Sequence, residues 1–191
     1  MYEVPASPFD RVEIQDAELV LRPLATSDAV PLFRLIDADR DRLGRWLPWV
    51  EDTRTATDSA RFIADATEER KRRRSLVLGF FVGEALAGTV GLHFIEWFDR
   101  CAELGYWIGS HAEGRGYVTR AARCMLGFAF GPAGLNRLVI RCAVENERSK
   151  RVAERLGFRR EGLLREAHWV AGRFLDQHLF ALLRCEYEKP A

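Results

Sequence analysis

Between Glu103 and Phe158 the chain reads strand, glycine-rich turn, helix, strand, helix, and no other stretch limits its folds as tightly. The run Cys101-Ala102-Glu103-Leu104-Gly105-Tyr106-Trp107-Ile108-Gly109 alternates. It sets Ala102, Leu104, Tyr106 and Ile108 on one face and Glu103, Gly105 and Trp107 on the other. Glu103 is therefore a single charge inside an otherwise apolar strand. The turn Glu113-Gly114-Arg115-Gly116-Tyr117-Val118-Thr119 follows, and Val118, Ala121, Ala122, Met125 and Ala129 then recur at helical spacing from near Gly116. A helix N-terminus carries unpaired amides and a partial positive charge, and a glycine ahead of it lets phosphate oxygens approach the backbone. The turn reads as a pyrophosphate cradle or, more plainly, as a tight connection. A further strand, Arg137 to Val144, leads into a helix that starts at Asn146 and is closed by Gly157.

Around this core the periodicity predicts a first strand over Glu18 to Leu24 and a helix capped by Ser27 or Asp28 that runs to about Asp39, with Val30, Leu32, Phe33, Leu35 and Ile36 apolar. The segment Arg42 to Glu51 holds Trp46 and Trp49 around Pro48. A helix over Asp58 to Arg74 comes next, then strands Leu76 to Val82 and Leu86 to Phe94 joined at Gly83-Glu84. Strands over Phe158 to Arg165 and Phe174 to Leu183, linked through His168, Trp169 and the turn Ala171-Gly172, complete the pattern. The prediction is a mixed sheet with helices on both faces, in one domain over residues 18–186, with an N-terminal extension (1–17) and a short tail (187–191).

Composition narrows the functional classes. The 191 residues suit one domain able to bury about two thirds of its unfolded surface. Twenty-nine basic against 28 acidic residues leave a net charge of +1, so no global field recruits nucleic acid or an anionic membrane. The run Arg70-Lys71-Arg72-Arg73-Arg74 fits a solvated helix C-terminus, where cations complement the dipole. Cys101, Cys124, Cys142 and Cys185 are far apart with no histidine at metal-ligand spacing, and read as reduced, mostly buried thiols with no metal. No apolar leader or membrane-length run is visible, which points to the cytoplasm.

Taken together, Glu103-Leu104-Gly105-Tyr106-Trp107-Ile108-Gly109, Gly114-Arg115-Gly116-Tyr117-Val118-Thr119, Asn146-Glu147-Arg148-Ser149 and Arg155-Leu156-Gly157-Phe158 resemble the GNAT N-acetyltransferase superfamily. Leu21-Arg22-Pro23-Leu24 and Trp46-Leu47-Pro48-Trp49 are similar to its RimJ/RimL-type ribosomal-protein branch. The resemblance implies an α+β (α/β/α) fold with a twisted, mostly antiparallel sheet, acetyl-CoA as co-substrate, and a protein N-terminus, such as that of a ribosomal protein, as acceptor. It also implies a homodimer. Two positions depart from the family pattern, Glu113 where Gln or Arg is usual and Val118 where Gly or Ala is usual. A carboxylate facing a pyrophosphate is repulsive, so Glu113 either weakens binding or turns away.

The resemblance places the co-substrate against Trp107, Ile108 and Gly109 at the strand end, Gly114, Arg115, Gly116, Tyr117, Val118 and Thr119 in the turn, and Asn146 and Ser149 on the following helix. Acetyl transfer needs a deprotonated amine, a donor for the carbonyl oxygen and an acid near sulfur. Ser149 shares a helical face with Val152, Ala153 and Leu156 and points inward, which suits either that acid, the role the resemblance implies, or a bond to its own helix turn. Asn146 suits an N-cap, a co-substrate contact, or both. The resemblance also makes Glu103 and His168 competing candidates for the base, a histidine titrating nearer neutrality than a carboxylate, while a lone strand histidine suits a structural role as well. Trp46 and Trp49 suit either an acceptor wall or the core. His93, His111 and His178 receive no role. Transfer to a small amine, with Glu51, Asp52 or Asp99 as its contacts, and a non-catalytic module that only holds CoA are the competing functions.

Overall fold

The computed structural model describes residues 8–10 and 12–188. The remaining residues of the expected N-terminal extension and tail, 1–7, 11 and 189–191, lie outside it. The centre of the sheet follows from two apolar runs. β3 (Leu76–Val82) and β4 (Ala85–Glu96) are buried on both faces over most of their length, as strands covered by helices on each side must be. β2 (Leu19–Pro23) pairs with β3 and carries β1 (Ile14–Asp16) on its outer side, and β5 (Cys101–Ile108), β6 (Arg137–Ala143), β8 (Arg173–Leu183) and β7 (Arg159–Val170) continue beyond β4 in that spatial order. Every pairing is antiparallel except β5 with β6.

The alternation along the strands sorts the helices. α5 (Tyr117–Phe130) and α6 (Glu147–Arg155) cover the face carrying Leu78, Phe80, Val90, Leu92, Leu104 and Ile140. α1 (Ala29–Ala38) and α4 (Ala56–Lys71) cover the other with Leu24, Phe81 and Leu86. Between α1 and α4 the tryptophan segment forms two single turns, α2 (Arg40–Leu43) and α3 (Trp49–Asp52), and Trp46 packs against Ala143, Val170 and Leu175. The short α7 (Arg184–Tyr187) ends the described chain.

Several boundaries differ from the sequence pattern for identifiable reasons. α4 starts at Ala56 because Thr55 and Asp58 close a reciprocal cap, with Thr55 Oγ1 accepting from the Asp58 N–H at 3.3 Å. Asp28 precedes α1 but makes no side-chain cap bond. Its carboxylate accepts instead from both Arg22 Nη atoms, at 2.7 and 3.0 Å, and from the Ala25 N–H at 2.7 Å. β7 runs past Arg165 to Val170 across a bulge at Glu166, whose φ is +50° and whose N–H donates to Asp176 Oδ1 at 2.8 Å. Of the four cysteines only Cys142 is buried, and Cys185, on the surface helix α7, is exposed. The expectation of mostly buried thiols is therefore corrected.

The Arg22 bonds hold the Asp28 carboxyl below the usual carboxylate range, against a raising effect of burial. A lowered folded value means stability present above about pH 4 and lost as pH falls through that folded value. Asp28→Asn should therefore cost about 2–3 kcal/mol at pH 7, leaving Arg22 short of its partner, and the gap to the parent should narrow as denaturant melts move below pH 4. A pH-independent gap would exclude the ion pair as its origin.

Candidate active site

The parallel ladder between β5 and β6 is short. Cys101, Ala102 and Glu103 pair with Arg137, Leu138 and Val139, and pairing then stops. From Leu104 to Ile108, β5 keeps β4 on one side and has no strand on the other, so a wedge opens whose floor is strand edge. Backbone polar groups along such an edge must find partners elsewhere. At the wide end Gly109 leads through a short turn to Gly114 and Gly116, with φ of +78° and +76°. A Cβ built on either glycine meets nothing within 4 Å, so the space in front of the turn is open to a ligand. α5 then begins at Tyr117 with no side-chain cap at Gly116, leaving first-turn amides for an anion. Tyr117 is buried and Val118 packs against the core, so these two offer backbone, whereas Arg115 is exposed and Thr119 half-buried.

Glu113 resolves into a compensated charge. Its Oε1 accepts from Arg42 Nη1 at 2.6 Å and its Oε2 from Arg148 Nη1 at 2.5 Å. Arg42 also donates through Nη2 to Asp39 Oδ2 at 2.7 Å and to the Ile108 carbonyl at 2.6 Å. The Ser110 N–H meets the same Asp39 oxygen at 2.6 Å. Burial pushes the Asp39 carboxyl up, but the Arg42 and Ser110 bonds together outweigh it and hold it low. α2 thereby clamps the turn that follows β5.

At the narrow end, on the α5/α6 side, Asn146 caps α6 by accepting from the Ser149 N–H at 3.1 Å. Ser149 Oγ lies 3.1 Å from the Tyr106 hydroxyl, which also donates to the Ser149 carbonyl at 3.1 Å. The wedge is bridged there from β5 to α6. Burial pushes the Tyr106 phenol well above its ordinary value and the Cys142 thiol, hydrogen-bonded to Ser149, up to about 11. All three groups are protonated at neutral pH, and Ser149 sits between two fixed neighbours.

Glu103 and His168 stand on the opposite face of the sheet. Glu103 Oε2 accepts from Arg141 Nε at 2.8 Å and Nη2 at 2.5 Å, which ties β5 to β6 where they part. His168 Nε2 lies 2.8 Å from the Trp46 carbonyl, an acceptor only, so Nε2 carries the hydrogen. The rings of Trp49 and Trp107 sit 5.8 Å apart on the same side. Ser149 and Glu103 therefore approach the wedge from its two faces. Among the described residues no group of three or more His, Cys, Asp or Glu side chains is placed to hold a metal ion, and no helix is long and apolar enough to cross a membrane.

Sequence reasoning missed Arg42, Arg148, Arg141 and Tyr106 as parts of this site. Tyr106 left a trace, a hydroxyl in an apolar row of the strand. Arg42 left none, since its partner Glu113 is 71 residues away. As the hub of the clamp, Arg42 gives a clear test: Arg42→Ala strips Asp39 and Glu113 of a partner and should lower unfolding free energy by about 2–4 kcal/mol. CoA affinity measured by calorimetry should fall with it, and a variant that keeps both would deny the clamp any role.

Comparison with known proteins agrees with this geometry. The family described as "Acetyltransferase (GNAT) domain" matches residues 18–159. The chain is 36% identical over 171 residues to a candidate ribosomal N-acetyltransferase, YdaF of Bacillus subtilis (strain 168), covering 89% of this chain and 93% of that one. It is 28% identical to the ribosomal-protein-serine acetyltransferase of Escherichia coli (strain K12), over 85% of this chain and 91% of the other. The crystal structure of the microcin C7 self-immunity acetyltransferase MccE, in complex with acetyl-CoA and AMP, superposes with a TM-score of 0.84 at 29% identity, covering 88% and 93% of the two chains. With its wedge, its glycine turn and the match over most of its length, the chain belongs to the GNAT acetyltransferase family and uses acetyl-CoA as acyl donor.

Proposed function

We propose that this enzyme acetylates the N-terminal α-amine of a protein, with a ribosomal protein beginning with Ser or Ala as acceptor. The acceptor-side wall of the wedge carries this reading. Trp46, Trp49 and Trp107 give it an aromatic surface, and Glu103 is already matched by Arg141. Such a wall suits an extended peptide, whereas a small polycation needs unmatched carboxylates. The neighbouring cavity of about 620 Å³ sets Asp37, Asp41 and Glu51 against Arg40, Arg45 and Arg54, with no surplus negative charge. The names of the two relatives given above support the same acceptor class, and the spermidine N(1)-acetyltransferases that match about half of the chain are the ground for the small-amine alternative.

Energetics favours this acceptor. An α-amine with a pKa of about 8 is roughly a tenth neutral at pH 7, so freeing it costs about 1 kcal/mol, against about 4–5 kcal/mol for a lysine. In the proposed reaction the amides from Gly114 to Thr119 and Arg115 hold the pyrophosphate, and the edge from Trp107 to Gly109 aligns the donor. Asn146 fixes the start of α6, and Ser149 protonates the departing thiolate. Glu103, held by Arg141, ties β5 to β6 beside the acceptor, and His168 pins Trp46 at the mouth.

Thiol release should follow addition of acetyl-CoA and Ser- or Ala-starting peptides, and not of spermidine or free lysine. Turnover of small amines alone would replace this acceptor class. Ser149→Ala keeps the backbone N–H that Asn146 caps, so it should lower kcat about 10²-fold while CoA affinity changes less than about threefold. Unchanged turnover would remove Ser149 from the chemistry.

A further inference from the structure

We propose that His93 accepts the proton of the incoming amine, a role that rests on amine acetylation as the activity and adds a residue to it. His93 stands on β4 directly opposite Glu103, the last β5 residue paired with β6. Its side chain is therefore on the acceptor face, one strand from the point where the wedge begins, and it reaches over β5 at Gly105. The imidazole lies across two strands on a floor of glycine. A Cβ at Gly105 would come within 3.1 Å of Nε2 and Cδ2, and one at Gly91 within 3.2 Å of Nε2. A side chain at either position would push the ring away. The backbone is also shaped at this point. Pairing shifts register between His93 and Glu96, and Phe94 holds φ at +50°. Bulges re-aim side chains beside active sites, and a non-glycine residue in the left-handed region persists where its surroundings enforce it.

The chemistry fits the place. Burial lowers the imidazole's pKa, against a raising effect of Glu103, so the ring is neutral at pH 7 and one nitrogen holds a lone pair. Glu103 faces it from β5 and brings Arg141 from β6, while the neighbouring Leu76 and Val77 of β3 do not titrate. The two bases the sequence offered each have one polar atom engaged in holding structure: Glu103 Oε2 accepts twice from Arg141, and His168 Nε2 donates to Trp46. As the amine nitrogen bonds to the thioester carbonyl carbon, its proton passes to His93. The C–S bond then breaks, the thiolate takes the Ser149 proton, and solvent returns the proton from His93 to the Ser149 oxygen. Starting from neutral amine, no net proton is consumed.

The test is a pH series of kcat/KM for His93→Gln and His93→Asn, with a Ser-starting peptide and with spermidine, alongside calorimetry with acetyl-CoA. At pH 7.5 both variants should lose about 10²-fold in kcat/KM for the amine, with acetyl-CoA affinity within about threefold of the parent. The parent-to-variant ratio should shrink as pH falls below the ordinary imidazole value of about 6.5, because protonation disables the parent's imidazole and the variants have none. A ratio independent of pH, a loss under about threefold, or an equal loss of acetyl-CoA affinity would overturn the proposal. If the parent acetylates spermidine but no peptide, the acceptor reading fails and the spermidine series decides the role of His93. If it acetylates no amine, both are overturned.

Discussion

The parallel pairing of β5 with β6 lasts three residue pairs, and the rest of the molecule is arranged around its ending. A strand edge stripped of its neighbour inside a domain must have its polar groups met in some other way. Arg42 meets one of them, the Ile108 carbonyl, and side chains bridge the gap itself: Tyr106 reaches Ser149 on one face, Glu103 reaches Arg141 on the other, and Glu113 reaches Arg148 at the mouth. α6 supplies one end of two of these bridges, through Ser149 and Arg148. A short ladder thus produces both the opening for a donor and the parts that keep it from collapsing or spreading.

The site is split between two environments. On the α5/α6 side a phenol, a hydroxyl and a thiol stand together, and burial raises the phenol and the thiol so that none gives up a proton unaided at neutral pH. On the other side are carboxylate, guanidinium, imidazole and indole groups, closer to water. Acyl donor and amine acceptor make opposite demands, one for a proton source and one for a proton sink, and the sheet keeps them apart by strand parity alone. Tyr106 and Glu103 are three residues apart on one strand and point to opposite faces.

Much of this was legible in the sequence. Alternation in Cys101 to Gly109 assigned the faces of β5 correctly, glycines marked the turn, and Asn146 marked the cap of α6. Local chemistry carries such signals. β1 was not legible, because three residues hold too little periodicity, and the bulge at Glu166 hid the continuation of β7. The partners of Glu113 were out of reach for another reason. Its charge looked like a liability in a phosphate-binding turn, and the guanidinium groups that compensate it come from α2 and α6, distant in sequence and close only once the fold exists. His93 had the same disadvantage, since its value depends on two glycines on neighbouring strands being opposite one another.

The wedge also bears on solubility. A bare strand edge is a template for any extended chain, and proteins that expose one on their border invite aggregation. This enzyme places its functional edge between β5 and β6, inside the sheet and away from its borders. The two true borders are guarded differently: β1 is only three residues long, and β7 carries Arg159, Arg160, Glu161, Arg165 and Glu166 together with a bulge. A cell can therefore hold a ligand-ready β-edge at high concentration without that edge acting as a seed for misassembly.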